Sequence, residues 1–331
     1  MNDNNDFDFS PIDYYNSATN CMEKGEFDLA IANFTKALDR KPDFVEAYTN
    51  RSAVYIKLEQ YDDAITDANQ AISLDPNNDI AYVSRGTAYK NKNDLDRALV
   101  DYDKAISINP KNVLAYMQRG ILYTLKKEWS SALRNFNNAL SLDQNNALVY
   151  YNRGICFRDE GNLKQAMSDY TKSIELDPLD SSVYFERGCL YRQLDMLNEA
   201  IADYTQAIQI NPSFVTAYNN RSVVYQIKGK YQRAIDDCTK VLQIDPINID
   251  AYLNRSGNFM ALGKYDAALE DAYKVLQLDP KNIGAYNNLA IIYEDKGEYE
   301  KARENYLLAL NIEPNNLRIR NHLGDMENRI K

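Results

Sequence analysis

Apolar and small residues recur along the chain at intervals of three and four, the spacing that gathers one side of an α-helix. Short polar or glycine-bearing segments interrupt this pattern, and the interruptions are themselves periodic. Proline falls at Pro42, Pro76, Pro110, Pro178, Pro212, Pro246, Pro280 and Pro314, each 34 residues after the last apart from one doubled gap, where Gln144 stands. Setting that proline as position 32 divides residues 11–316 into nine units that start at 11, 45, 79, 113, 147, 181, 215, 249 and 283. Position 20 is alanine in all nine, from Ala30 to Ala302, and position 4 is tyrosine in all nine, from Tyr14 to Tyr286.

Within a unit the apolar and small residues sit at 4, 8 and 11, then at 17, 20, 21, 24, 27 and 28, which predicts two amphipathic helices, A and B. Position 15 lies between them. It is Gly25, Gly161, Gly229, Gly263 or Gly297 in five units and Asn93 or Asp195 in two more, residues that tolerate a left-handed helix end. The connection is short, so the two helices run antiparallel. Proline at 32 stops helix B, and the Asn or Asp that follows can cap the next helix. Neither helix can bury its apolar face alone. Each pair must therefore stack on its neighbours, giving an all-α fold, an alpha-alpha superhelix or solenoid. Residues 1–10 read as a disordered acidic tail. The segment 317–331 reads as a capping helix with Arg318, Arg320, Arg329 and Lys331 on its polar side.

The pattern resembles the tetratricopeptide repeat, with its aromatic at 4, small residue at 8, aromatic at 11, alanine at 20, aromatic at 24 and proline at 32. The resemblance covers residues 11–316 and departs from the family in Tyr for the usual Trp at position 4 and Arg for the usual Leu at position 7.

That arginine is present in seven units: Arg51, Arg85, Arg119, Arg153, Arg187, Arg221 and Arg255. A guanidinium covered by helix B needs a partner, and position 23 of the same unit supplies Asp67, Asp101, Asp169, Asp203, Asp237 and Asp271. Arg119 meets Asn135 instead. Pairing with the preceding unit's aspartate works five times rather than six, so the same-unit pair is expected. A repeated residue with a fixed partner points to structure; one that reads a ligand should vary between units.

The resemblance implies that the inner surface of the superhelix is lined by positions 2, 5, 9, 12 and 13 of helix A. In units four to six these give Leu114, Met117, Ile121 and Leu125, then Leu148, Tyr151 and Ile155, then Phe185 and Cys189, with Arg158 and Arg192 beside them. Outer units are more polar there. The profile is that of a peptide groove; packing between neighbouring A helices is the alternative. Relatives that hold a chaperone's acidic tail use a carboxylate clamp, with Lys at 5 and Asn at 9, then Asn at 6, then Lys at 2 and Arg at 6. Here position 5 is never lysine and position 9 never asparagine, so the clamp is not expected. Asn152 and Asn220 belong to a set of asparagines at position 6 that could bond the backbone of an extended ligand or face water.

Composition narrows the function. A net charge of −10 argues against nucleic acid, because phosphate-backbone binding needs clustered Lys and Arg. No apolar run approaches membrane-spanning length, and the opening "MNDNNDFDFS" is acidic where a signal peptide is basic and then apolar, so a cytoplasmic protein without membrane insertion is expected. Cys21, Cys156, Cys189 and Cys238 form no CxxC pair. The lone histidine, His322, has no nucleophile or metal-ligand neighbour at useful spacing, and no phosphate-binding glycine motif is present. No enzyme activity, metal or cofactor is expected. The reading is a protein-interaction scaffold that binds a peptide or extended segment of another protein. The alternatives are a structural or self-associating spacer and a regulatory subunit of a separate enzyme. Phe7 and Phe9 of the tail are candidates to plug the groove.

Overall fold

The computed structural model describes residues 9–330, with side chains described as far as residue 328, and among these the chain is nineteen helices and no strand. They form nine A–B pairs from Pro11–Glu23 with Phe27–Arg40 to Ile283–Asp295 with Tyr299–Ile312, followed by a last helix, Leu317–Ile330. The described residues form two compact units that divide between Leu176 and Asp177, each a stack of helix pairs.

The turn between the helices is left-handed at position 15 in all nine pairs. Glycine adopts it five times and Asn93 and Asp195 once each, as expected; Glu59 at φ 60° and Lys127 at φ 58° adopt it as well, against the steric preference of their side chains. The helix pair thus imposes the turn even where the residue resists it. Lys127→Gly is expected to stabilise the first unit by about 0.5–1 kcal/mol, read as a higher denaturant midpoint. A lower midpoint would show that the lysine side chain contributes more than its backbone costs.

Asparagine after the position-32 turn caps the next helix, its side chain accepting from Ala81 N for Asn78, Ala115 N for Asn112 and Val149 N for Asn146 at 2.8–3.1 Å. Ser10 caps the first helix, Pro11–Glu23, in a reciprocal capping box with Asp13. Phe9 rests against Tyr14, with ring centroids 5.6 Å apart. Phe7 and Lys331 lie outside the described residues, as does the side chain of Arg329.

Every position-20 alanine is fully buried. Packing at position 8 follows the residue at 24. Gly86, Gly120, Gly154 and Gly188 face Tyr102, Phe136, Tyr170 and Tyr204, and a Cβ on any of these glycines would lie under 3.0 Å from the ring. Where 24 is small, as at Ala68, Cys238 and Ala272, position 8 is a buried serine, Ser52, Ser222 or Ser256. Ser52 and Ser256 donate to the position-20 carbonyls of Ala64 and Ala268 at 2.8 Å. Volume is exchanged across the pair in these seven units, as close packing requires, whereas the first and ninth carry alanine, Ala18 and Ala290, with the rings of Phe34 and Tyr306. The last helix buries Ile319 and Met326 against Tyr306 and Ala309, while Arg318 and Arg320 are exposed.

Candidate functional site

The seven arginines are held in the same way within their own helix pairs. Arg51, Arg85, Arg153, Arg187, Arg221 and Arg255 each donate Nε and an Nη to both oxygens of the same-unit aspartate at 2.6–2.9 Å. Arg119 donates to Asn135 Oδ1 at 2.8 Å. The second Nη goes elsewhere, to position 25 of the preceding pair: Arg51 to Thr35, Arg85 to Asn69, Arg119 to Asp103, Arg153 to Asn137, Arg221 to Thr205 and Arg255 to Thr239. Each arginine also lies over the tyrosine at position 4, and five of them over the aromatic ring at position 11 as well, as Arg221 does over Tyr218 and Tyr225 at 5.6 and 5.7 Å. Sequence reasoning found the aspartate and missed position 25. The signal was present, because position 25 is an acceptor in all seven units that precede an arginine and is Tyr273 in the one that precedes Leu289.

In Arg51, Arg85, Arg153, Arg221 and Arg255 the Nε and both Nη groups are bonded within the protein, which argues against a ligand there. Burial pushes the carboxyls of Asp67, Asp237 and Asp271 above the ordinary aspartate value, against the arginine hydrogen bonds that pull them down. Each Arg–Asp pair thus ties helix A to helix B of its own unit, while in six arginines the second Nη ties the unit to the pair before it.

The face lined by the A helices divides by position. Position 5 is used for packing. Met117 is 4% exposed, in a core with Ala132, Phe136 and Cys156, Tyr151 lies against Tyr170, and Phe185 lies against Tyr204 and Phe214. Positions 2 and 13 remain open: Leu114, Leu148 and Leu125 are 44%, 49% and 59% exposed. Arg158 is held by the carboxylate of Asp159 next to it at 2.9 Å. In the second unit Arg192 is exposed, and Cys189 accepts from Tyr204 Oη at 3.4 Å and from Asn220 Nδ2 at 3.6 Å. Several position-6 asparagines thus brace the preceding A helix: Asn50 reaches Tyr15 Oη at 2.9 Å and Asn288 reaches the Leu253 carbonyl at 3.2 Å. Asn152 donates to its own helix, at Leu148 O.

Within the first unit Ile121, Leu125, Asn152 and Ile155 come together. They line a hollow of about 500 Å³ between helix A of the fourth pair (Val113–Leu125) and helix A of the fifth (Ala147–Glu160). Thr124, Lys127, Trp129 and Asp159 complete its wall. Sequence reasoning passed over Trp129, the only tryptophan of the chain, because position 17 belongs to helix B. An apolar floor with an amide, a hydroxyl, an ammonium and a carboxylate at its rim can seat one bulky side chain and orient the segment that bears it. In the second unit the corresponding face is richer in amides, and the Oδ1 atoms of Asn219 and Asn287 are buried with no hydrogen-bond partner.

Among the described residues no group of three or more His, Cys, Asp and Glu side chains could hold a metal ion, and no helix is long and apolar enough to cross a membrane. Models of the tetratricopeptide repeat match residues 14–44, 33–66, 80–112, 147–179, 181–214, 215–248 and 259–324, and a TPR repeat model matches 53–93. No curated protein matches the chain. Among solved structures, that of pilF from Pseudomonas aeruginosa is 18% identical, with a TM-score of 0.56, covering 66% of this chain and 97% of its own. The Cut9–Hcn1 hetero-tetramer of the APC/C contains a chain 17% identical, with a TM-score of 0.55 and covering 96% of this chain and 76% of its own. The type IV pilus biogenesis factor PilW is 20% identical, with a TM-score of 0.55, covering 62% and 96%. At these identities the likeness is one of fold.

Proposed function

This chain belongs to the tetratricopeptide repeat family, and we propose that it is a non-catalytic scaffold that binds an extended segment of another protein on its A-helix face. The hollow at Ile121, Leu125, Trp129 and Ile155 is the anchor point. One observation carries the reading: apolar side chains stay open at positions 2 and 13 beside a cavity large enough for an aromatic or branched residue, while Met117 at position 5 of the same helix is buried. The ligand is read through this apolar anchor and through amides, without a carboxylate clamp, on the model of extended peptides whose side chains enter pockets and whose backbone meets polar groups.

Selection of displayed peptides on the wild type and on Leu125→Asp tests this. Leu125 is more than half exposed, so the substitution leaves the fold intact. Peptides enriched on the wild type should share a bulky apolar residue and lose about tenfold or more in affinity on the variant, about 1.4 kcal/mol. Equal recovery by both proteins would place the binding surface elsewhere. Sedimentation at two concentrations separates this reading from a self-associating spacer, for which mass would rise with concentration.

A further inference from the structure

The hollow has a charged neighbour with no counter-charge. Lys90 lies near the end of helix A of the third pair (Asp79–Asn91), and its Nζ donates to Gln118 Oε1 at 2.9 Å. Gln118 is a neutral acceptor, and an ammonium has three donors to satisfy. No carboxylate pairs with Lys90 among the described residues, and burial alone lowers its pKa below the ordinary lysine value. The carboxylate nearest the hollow, Asp159 in its wall, is taken up by Arg158, in a chain whose net charge is −10. Of the other cations near the hollow, Arg158 is held by Asp159, and Lys127 stands in the hollow's own wall. A desolvated cation with one neutral partner is a costly arrangement to hold unless something arrives to meet it.

Its place relative to the hollow follows from helix geometry. Gln118 and Ile121 are three residues apart on one helix and so are neighbours on one face, about 5–6 Å apart at Cβ. The ammonium is thus hydrogen-bonded to the same helix, Val113–Leu125, that carries Ile121 of the cavity floor. Exposed apolar side chains continue on either side, with Ile80 before and Leu148 after. A ligand in contact with all of them runs past Lys90.

We propose that Lys90 is the docking point for an internal aspartate or glutamate of the bound segment, adjacent to the bulky apolar residue that fills the hollow. The proposal rests on the groove reading above and adds the chemistry of its ligand: an extended, acidic and apolar stretch of a partner protein. Lys90 occupies position 12, which is not one of the positions used by the carboxylate clamp. The internal side chain is favoured over a chain end because the apolar contacts extend in both directions from the cation.

The test uses two libraries of pentapeptides, acetylated and amidated so that no terminal charge remains, with random flanks around a central aspartate in one and a central asparagine in the other. Each is passed over the immobilised full chain, and over Lys90→Met and Leu125→Asp. The wild type should retain the aspartate library about tenfold better than the asparagine library. Lys90→Met should erase that preference while still retaining apolar asparagine peptides, and Leu125→Asp should retain neither. Equal retention of both libraries by the wild type, or a preference that survives Lys90→Met, overturns the role of Lys90 and leaves the groove standing. No retention of either library by the wild type overturns both. A purely structural lysine would show itself separately: Lys90→Met would then lower the melting temperature, whereas a cation kept for a ligand predicts a melting temperature unchanged or raised, because methionine keeps the aliphatic stem and removes the buried charge.

Discussion

Arg221→Leu is expected to destabilise the second unit by about 3 kcal/mol at neutral pH, and Arg221→Leu with Asp237→Leu to recover most of that loss. The single substitution strips both oxygens of Asp237 of their hydrogen bonds, at 2.6 and 2.9 Å, and leaves a carboxylate that is 4% exposed without its counter-charge. It also frees Thr205, which keeps its own bond to the Ile201 carbonyl and so loses little. The double substitution removes both charges and fills the space with apolar atoms. A double-mutant cycle should give a coupling of comparable size. Hydrogen exchange should place the loss in the pairs that flank Arg221, because stability in a stacked repeat is local.

The penalty should depend on pH. Asp237 already has a raised pKa through burial, and loss of Arg221 removes the hydrogen bonds and charge that hold it down. A carboxyl whose folded-state pKa lies above its unfolded value contributes stability that is present below the unfolded value and is lost as pH rises through the folded value. The gap between wild type and Arg221→Leu is therefore largest near neutrality and narrows toward about pH 4. A gap that stays constant with pH would mean that Asp237 finds another partner in the variant.

Tyr102→Ala is expected to cost about 3–5 kcal/mol, and Gly86→Ser to reverse its sign between backgrounds. Tyr102 is fully buried, and its ring closes on the helix backbone at Gly86, where a Cβ would stand 2.8 Å from the ring. In the wild type, serine at 86 forces ring or backbone to move and should cost about 1–3 kcal/mol. In Tyr102→Ala it restores the serine and small-residue pairing of Ser52 with Ala68, and its hydroxyl can reach the Ala98 carbonyl as Ser52 reaches that of Ala64. It should then be stabilising by about 1 kcal/mol. Thermal or denaturant midpoints of the four proteins decide this. Additive effects would show that positions 8 and 24 do not share volume.

The fold was legible because one period runs through the chain and each structural requirement falls at a fixed place in it. Alanine at 20 and the 8–24 pair report close helix approach, and the prolines mark where helix B must stop. The arginine and its aspartate were legible for the same reason, since a buried charge demands a partner at constant spacing. What the sequence hid depends on direction rather than spacing. Met117 and Ile121 are both apolar and both on helix A, yet Met117 points into the core and Ile121 into the hollow. Trp129 was hidden because helix B contributes to the face through its first residue, and Lys127 because a helix pair can force a lysine into a left-handed turn. Asn220 reads as a ligand-facing amide until its donor is seen on Cys189.

Trp129 gives the most direct test of whether the hollow is where a partner binds. It is the only tryptophan, and it stands in the cavity wall, so its emission reports that site and no other. Peptides selected on the wild type should shift or quench the emission in a saturable way, with a midpoint equal to the affinity measured independently by calorimetry, and should leave the emission of Leu125→Asp unchanged. Saturating binding by calorimetry with no change in Trp129 emission would contradict the account, and would put the partner on another face of the chain.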